Sequence, residues 1–246
     1  MTESLQSVPS RPATSAPAAG GAGPSPARLR VRAVLLVALT FAAGAVDIVG
    51  FLGLHEVFTA NMTGNIVLFG MAAGQASLPD LANCGAATLA FAAGLLLGFR
   101  TAGRGDPARV WPPGVTRALA AGLLLQAVFL AGWAYADARP EGAALLALIS
   151  ASSAAMGVQT AAARTLAADG ITTTFVTGTL TSMMGALAIG STGAAGLRTA
   201  VILALAAGAA AGGALMGPAP VAAAALGPAI TVVVLGAGHL LSREPG

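Results

Sequence analysis

Lysine is absent from this sequence, cysteine occurs once, and charged residues make up only 9% of the 246 positions. Each shortage excludes something. A single cysteine, Cys84, rules out an intramolecular disulfide and any multi-cysteine metal site. Two distant histidines, His55 and His239, and isolated acids offer no metal spacing, no paired carboxylates and no assembled nucleophile. The expectation is therefore a protein that is not an enzyme, with no metal and no cofactor. All twelve basic residues are arginine, and they are scattered over short segments rather than gathered in a patch. That scatter reads as membrane topology rather than as a nucleic-acid surface.

What fills the sequence instead is apolar, at 56% hydrophobic residues with a mean hydropathy of +0.82. That composition lies outside the range of soluble domains and specifies an all-α integral membrane protein. Apolar segments run over about 33–54, 58–74, 81–99, 116–136, 142–163, 172–190, 197–216 and 219–241. Residues 33–241 read as one membrane domain, with halves at about 33–136 and 142–241. Residues 1–32, rich in Pro, Ser, Ala and Gly toward their start, read as a disordered tail, and 242–246 as a short C-terminal one. A retained first helix fits the long apolar run from Ala33 better than a cleaved signal peptide.

The second and sixth segments differ from the rest, because each opens with polar, threonine-rich sequence and leaves a short apolar remainder. From Ile66 to Ala73 the helix would be roughly 12 Å long, against a hydrocarbon core of about 30 Å. Arginine distribution decides between topologies. If all eight segments cross, the loop carrying Arg100, Arg104, Arg109 and Arg117 falls outside, against the positive-inside rule. If the second and sixth are broken or re-entrant, that loop falls inside with Arg28, Arg30, Arg32, Arg164, Arg198 and Arg243, and the 137–141 stretch DARPE falls outside. Six spans plus two re-entrant segments, with both termini cytoplasmic in a bacterial inner membrane, is the expected arrangement.

An internal repeat accompanies this division. An ungapped shift of 114 lays Thr63 and Gly64 on Thr177 and Gly178, and Gly94 and Gly98 on Gly208 and Gly212. Upstream, AVDIVG and GVQTAA align with a two-residue slip that pairs Asp47 with Gln159. Halves of three spans each must be inverted, and inverted repeats with discontinuous segments recur in transporters and channels, where the breaks bind solute near the midplane.

Candidate solute- or ion-binding residues follow from that pattern: Asp47, Asn61, Thr63, Gly64, Asn65, Gln159, Thr177, Gly178 and Thr179. Polar residues at membrane depth are tolerated where they line a cavity, although Asn61 or Thr63 would serve equally as a plain helix cap. Asp47 is the sharpest of them, because a carboxylate at mid-helix costs about 2.5–3.5 kcal/mol on insertion scales unless solvated, paired or protonated. Coupling to protons or a cation and a merely structural bonded acid are both open. The G-x-x-x-G runs at Gly94 to Gly98 and Gly208 to Gly212 read as close helix packing, within the chain or between copies in a homo-oligomer.

Four signatures, AGAVDIVGF, FTANMTGNIVLFG, MGVQTAAAR and TTTFVTGTLTSM, occur in order and resemble the YoaK-like proteins, small polytopic bacterial membrane proteins classed as a domain of unknown function. The resemblance covers about 33–241 and implies an inner-membrane protein of about six helices, often supposed to be a transporter. The expected function is a small-solute transporter or channel whose partners are the bilayer and an unidentified solute. The alternative is a non-transporting accessory or assembly protein, which would pack its polar segments dry.

Overall fold

The computed structural model describes residues 25–104, 109–166, 176–190 and 195–243. Apolar runs bounded by Pro, Gly and Ser form eight helices, and there is no strand among the described residues: α1 (Pro26–Gly53), α2 (Met62–Gly74), α3 (Leu78–Ala102), α4 (Pro113–Tyr135), α5 (Gly142–Leu166), α6 (Val176–Ala188), α7 (Ala195–Met216) and α8 (Pro220–Arg243). Proline occupies the first turn of α1, α3 and α4, where its missing N–H costs nothing. Six helices, all but α2 and α6, are long and apolar enough to cross a membrane.

The first boundary differs from expectation. Residues 1–32 read as a tail, but α1 begins at Pro26, with Ser25 accepting from the Arg28 N–H as its cap. Arg28, Arg30 and Arg32 therefore ride on the helix. An arginine pattern that reads as tail is compatible with an exposed helical turn, because arginine is a good helix former. The tail at 1–24, the threonines at 172–174 and the C-terminal residues 244–246 lie outside the described residues.

Directions follow from which residues touch. Gly53 of α1 abuts Trp133 near the end of α4, while Leu35 and Leu36 share a core with Val115 and Ala118 near its start, so α1 and α4 run parallel. Gly114 of α4 abuts Ala102 of α3, and Cys84 and Ala87 share a core with Phe129 and Trp133, so α3 runs against both. With α1 and α3 opposed, the chain enters and leaves α2 at the same end of the bundle. At about 20 Å for 13 residues, α2 is too short to cross in any case. α7 runs parallel to α1, since Gly44 meets Leu205 and Gly212 meets Ile48, and α5 parallel to α3, since Gly94 meets Ala154 and Gly98 meets Ala161. α5 and α7 are therefore opposed, and α6 too is entered and left at one end, the opposite one.

Packing is paired throughout. α1 lies on α7 as α5 lies on α3; α1 on α8 as α5 on α4; α2 on α3 as α6 on α7; and α3 on α4 as α7 on α8. The glycine crossings agree residue by residue. Gly157 sits against Phe91 and Leu95, and Gly44 against Leu205 and Ala209; Gly94 sits against Ala154, and Gly208 against Phe41. The offset is 114 between α3 and α7, and 113 between α1 and α5. Both G-x-x-x-G runs thus make contacts inside the chain, where the missing Cβ lets backbones touch.

Candidate functional site

After α1 ends, His55 and Glu56 adopt left-handed backbone, with φ of 55° and 60°, and reverse the chain. Residues 57–61 then run back along α1 to the level of Asp47. Gly50 permits this approach, since a Cβ there would meet Val57 O and Thr59. Phe51 and Phe58 stack across the reversal with ring centroids 5.0 Å apart.

An extended segment inside a helical bundle leaves its N–H groups without helical partners, and in a membrane such groups must be satisfied from within. Asp47 does this. Its Oδ1 accepts from the N–H of Thr59 at 2.9 Å, Ala60 at 2.6 Å and Asn61 at 3.3 Å. Asn65, fully buried, closes the other side: its Oδ1 accepts from Phe58 N at 2.9 Å and its Nδ2 donates to Phe58 O at 2.6 Å. Asn61 caps α2 by accepting from the Gly64 N–H at 3.3 Å. A Cβ at Gly64 would come within 2.8 Å of the Phe58 ring, so glycine lets that ring lie against the start of α2.

The break opens a cavity of about 510 Å³ between the start of α2, the middle of α1, the start of α6 and α7. Asp47, Asn61, Thr63, Gly64 and Thr177 line it, with apolar walls from Ala43, Phe58, Val67, Leu68 and Leu205. All three bonds to Asp47 fall on Oδ1, and among the described residues Oδ2 takes none. The first turns of α2 and α6, each the positive end of its dipole, line the same cavity as Asp47.

Five of the nine sequence-derived site residues therefore share this cavity. Asn65 stands behind its wall as a clamp on Phe58. Gly178 and Thr179 follow Thr177 in the first turn of α6 but are not among the lining residues, and Thr179 is buried. Gln159 lies elsewhere: its Nε2 donates to Leu39 O at 3.0 Å and its Oε1 accepts from Gln126 Nε2 at 3.4 Å, tying α5 to α1 and α4. The pairing of Asp47 with Gln159 is off by one residue. The contact register between α1 and α5 matches Asp47 with Thr160, whose Oγ1 is buried without a partner among the described residues. The cavity's apolar walls carried no signal, since an apolar side chain facing a cavity and one facing lipid are the same residue type.

Among the described residues no group of three or more His, Cys, Asp or Glu is placed to hold a metal. No solved structure matches the chain. It is 39% identical over 153 residues to the UPF0700 transmembrane protein YoaK of Bacillus subtilis (strain 168), an alignment covering 62% of this chain and 66% of that relative. A family model described as a protein of unknown function, DUF1275, matches residues 35–238. With six helices fit to span and its polar signatures inside the matched region, this chain belongs to the DUF1275 family of multi-pass membrane proteins.

Proposed function

We propose that the protein is a small-solute transporter or channel of the bacterial inner membrane, built as an inverted repeat whose two broken segments, α2 and α6, form one binding site. The observation that carries this reading is the shared cavity: Thr63 and Thr177, from opposite ends of the chain's fold, line the same space beside Asp47. About 510 Å³ lies within the range of small-molecule sites, and apolar walls with a few convergent polar groups are their usual make-up. The paired helix contacts support the repeat, because two halves related by an in-plane axis bring equivalent elements together.

The site's electrostatics suggest its mode of action. Asp47 Oδ1 is committed to holding the broken segment, while Oδ2 is available to a solute's donor or to a cation or proton that accompanies it. Thr160, a neutral residue, stands at the matching position of the second half, so charge coupling belongs to one half alone. Arginines gathered at the ends of α3, α5 and α8 and the starts of α1, α4 and α7 favour a cytoplasmic position for that end and for both termini. No chemistry of bond-making is proposed, and homo-oligomers are not required, since both G-x-x-x-G runs are used inside the chain.

A thermal-shift screen of small solutes on detergent-purified protein tests the reading. A ligand at 100 times its Kd stabilises by about 2.7 kcal/mol. The expected result is a solute that stabilises the native chain and loses its effect in Asp47→Asn, followed by uptake of that solute into proteoliposomes. Uptake with an unchanged pH profile in Asp47→Asn would remove the coupling role. Hits indifferent to Asp47, Thr63 and Thr177 substitutions would remove the site.

A further inference from the structure

A second cavity, about 400 Å³, opens at the other side of the α1 turn, where α1 ends and α3 and α5 begin. It is separate in sequence and lining from the site at Asp47. Its walls include Pro79, Leu145 and Leu146, and its polar side chains are His55, Asn83 and Glu141. Asn83 is the informative one. It is only 5% exposed, yet neither its amide oxygen nor its amide nitrogen has a hydrogen-bond partner among the described residues. Its amide is not sealed in protein: it reaches the cavity surface, where a ligand's polar group can meet it.

We propose that this cavity binds a primary ammonium group carried on an apolar body. A primary ammonium has three N–H donors and no acceptor. The cavity offers an acceptor for each: the Glu141 carboxylate, the Asn83 Oδ1 and an imidazole nitrogen of His55. No arginine lines it, so no resident cation competes for Glu141. Leu145, Leu146 and Pro79 supply apolar contact for the ligand's carbon skeleton.

The position suits the membrane boundary. Tyr135, 93% exposed at the end of α4, marks the same end of the bundle, and aromatic side chains favour the headgroup level. Two sources present the same chemistry there, the ethanolamine headgroup of an aminophospholipid and a free small amine.

The test uses the full chain in detergent and in two variants, Glu141→Gln and Asn83→Leu. Free amines are read by thermal shift with n-butylammonium, with tetramethylammonium and butyrate as controls. Lipids are read by native mass spectrometry with phosphatidylethanolamine against phosphatidylcholine, which has the same phosphate but no N–H donor. The proposal expects stabilisation by n-butylammonium alone, or retention of phosphatidylethanolamine at least tenfold above phosphatidylcholine, with loss of about tenfold or more in affinity in Glu141→Gln. The first outcome assigns a free amine and the second a lipid. Glu141 is exposed, so that variant is expected to fold even if Asn83→Leu does not. Equal binding of primary and quaternary ammonium, binding unaffected by Glu141→Gln, or binding of neither n-butylammonium nor phosphatidylethanolamine would overturn it.

Discussion

Asp47 is a structural residue on one oxygen and a free acceptor on the other, and the two roles separate experimentally. Asp47→Ala leaves the N–H groups of Thr59, Ala60 and Asn61 without their acceptor, at about 1–3 kcal/mol for each that stays dry. Groups that water can reach through the cavity cost less, so the net loss is expected at about 2–4 kcal/mol. Asp47→Asn keeps an oxygen at the Oδ1 position and removes the charge, so its loss should be smaller, about 1–2 kcal/mol. Unfolding in detergent should therefore rank the native chain above Asp47→Asn and that above Asp47→Ala; equal stability of all three would mean that the broken segment is held some other way. The carboxylate itself was legible in the sequence, because an acid in mid-helix demands a partner. Its partner was not, since nothing local says that residues twelve to fourteen positions on fold back to it. Asn65 illustrates the converse: it read as a ligand and proves to be a clamp, because an asparagine offers the same donor and acceptor to a backbone as to a solute.

Helix crossings depend on glycines whose positions the sequence revealed and whose partners it did not. A Cβ at Gly94 would meet the Ala154 backbone, and one at Gly208 the Phe41 backbone, whereas Gly236 has nothing within 4 Å. Gly94→Ala and Gly208→Ala should each cost about 1–3 kcal/mol by forcing helices apart. Gly236→Ala should be neutral or stabilising by up to about 1 kcal/mol, from helix propensity alone. Thermal unfolding of the three variants checks this, and a destabilised Gly236→Ala with unaffected partners would contradict the crossings described. Apart from the start of α1, seven residues earlier than expected, the apolar segments were legible to within a few residues, because long continuous apolar runs mark membrane helices. The one-residue error in matching α1 to α5 arose because side-chain similarity, Asp with Gln, outweighed packing register, which only the Gly44 and Gly157 contacts reveal.

For the molecule as a whole, the count of crossings rests on α2 and α6 returning to the ends they entered from. In a Cys84→Ala background, Arg104→Cys and Arg139→Cys should react with an impermeant thiol reagent from opposite faces, Arg139→Cys on intact cells and Arg104→Cys only after permeabilisation. The reverse pattern would overturn the proposed orientation, and labelling of both from one face would overturn the six-span count. The proposed orientation rests on arginine placement, whereas the merging of two distant broken segments into one cavity was not legible in the sequence, because the repeat relates Thr63 to Thr177 without saying that they face the same space. That merging is the central claim, and a dry interface would instead suit an accessory protein. The most direct measurement is made on purified protein carrying Thr63→Cys and Thr177→Cys in the Cys84→Ala background, treated with a small hydrophilic thiol reagent and, separately, with short bifunctional crosslinkers. The account predicts that both cysteines react in the folded state and that a short linker joins them; two cysteines that resist the hydrophilic reagent until the protein unfolds, or that react and never crosslink, would contradict it.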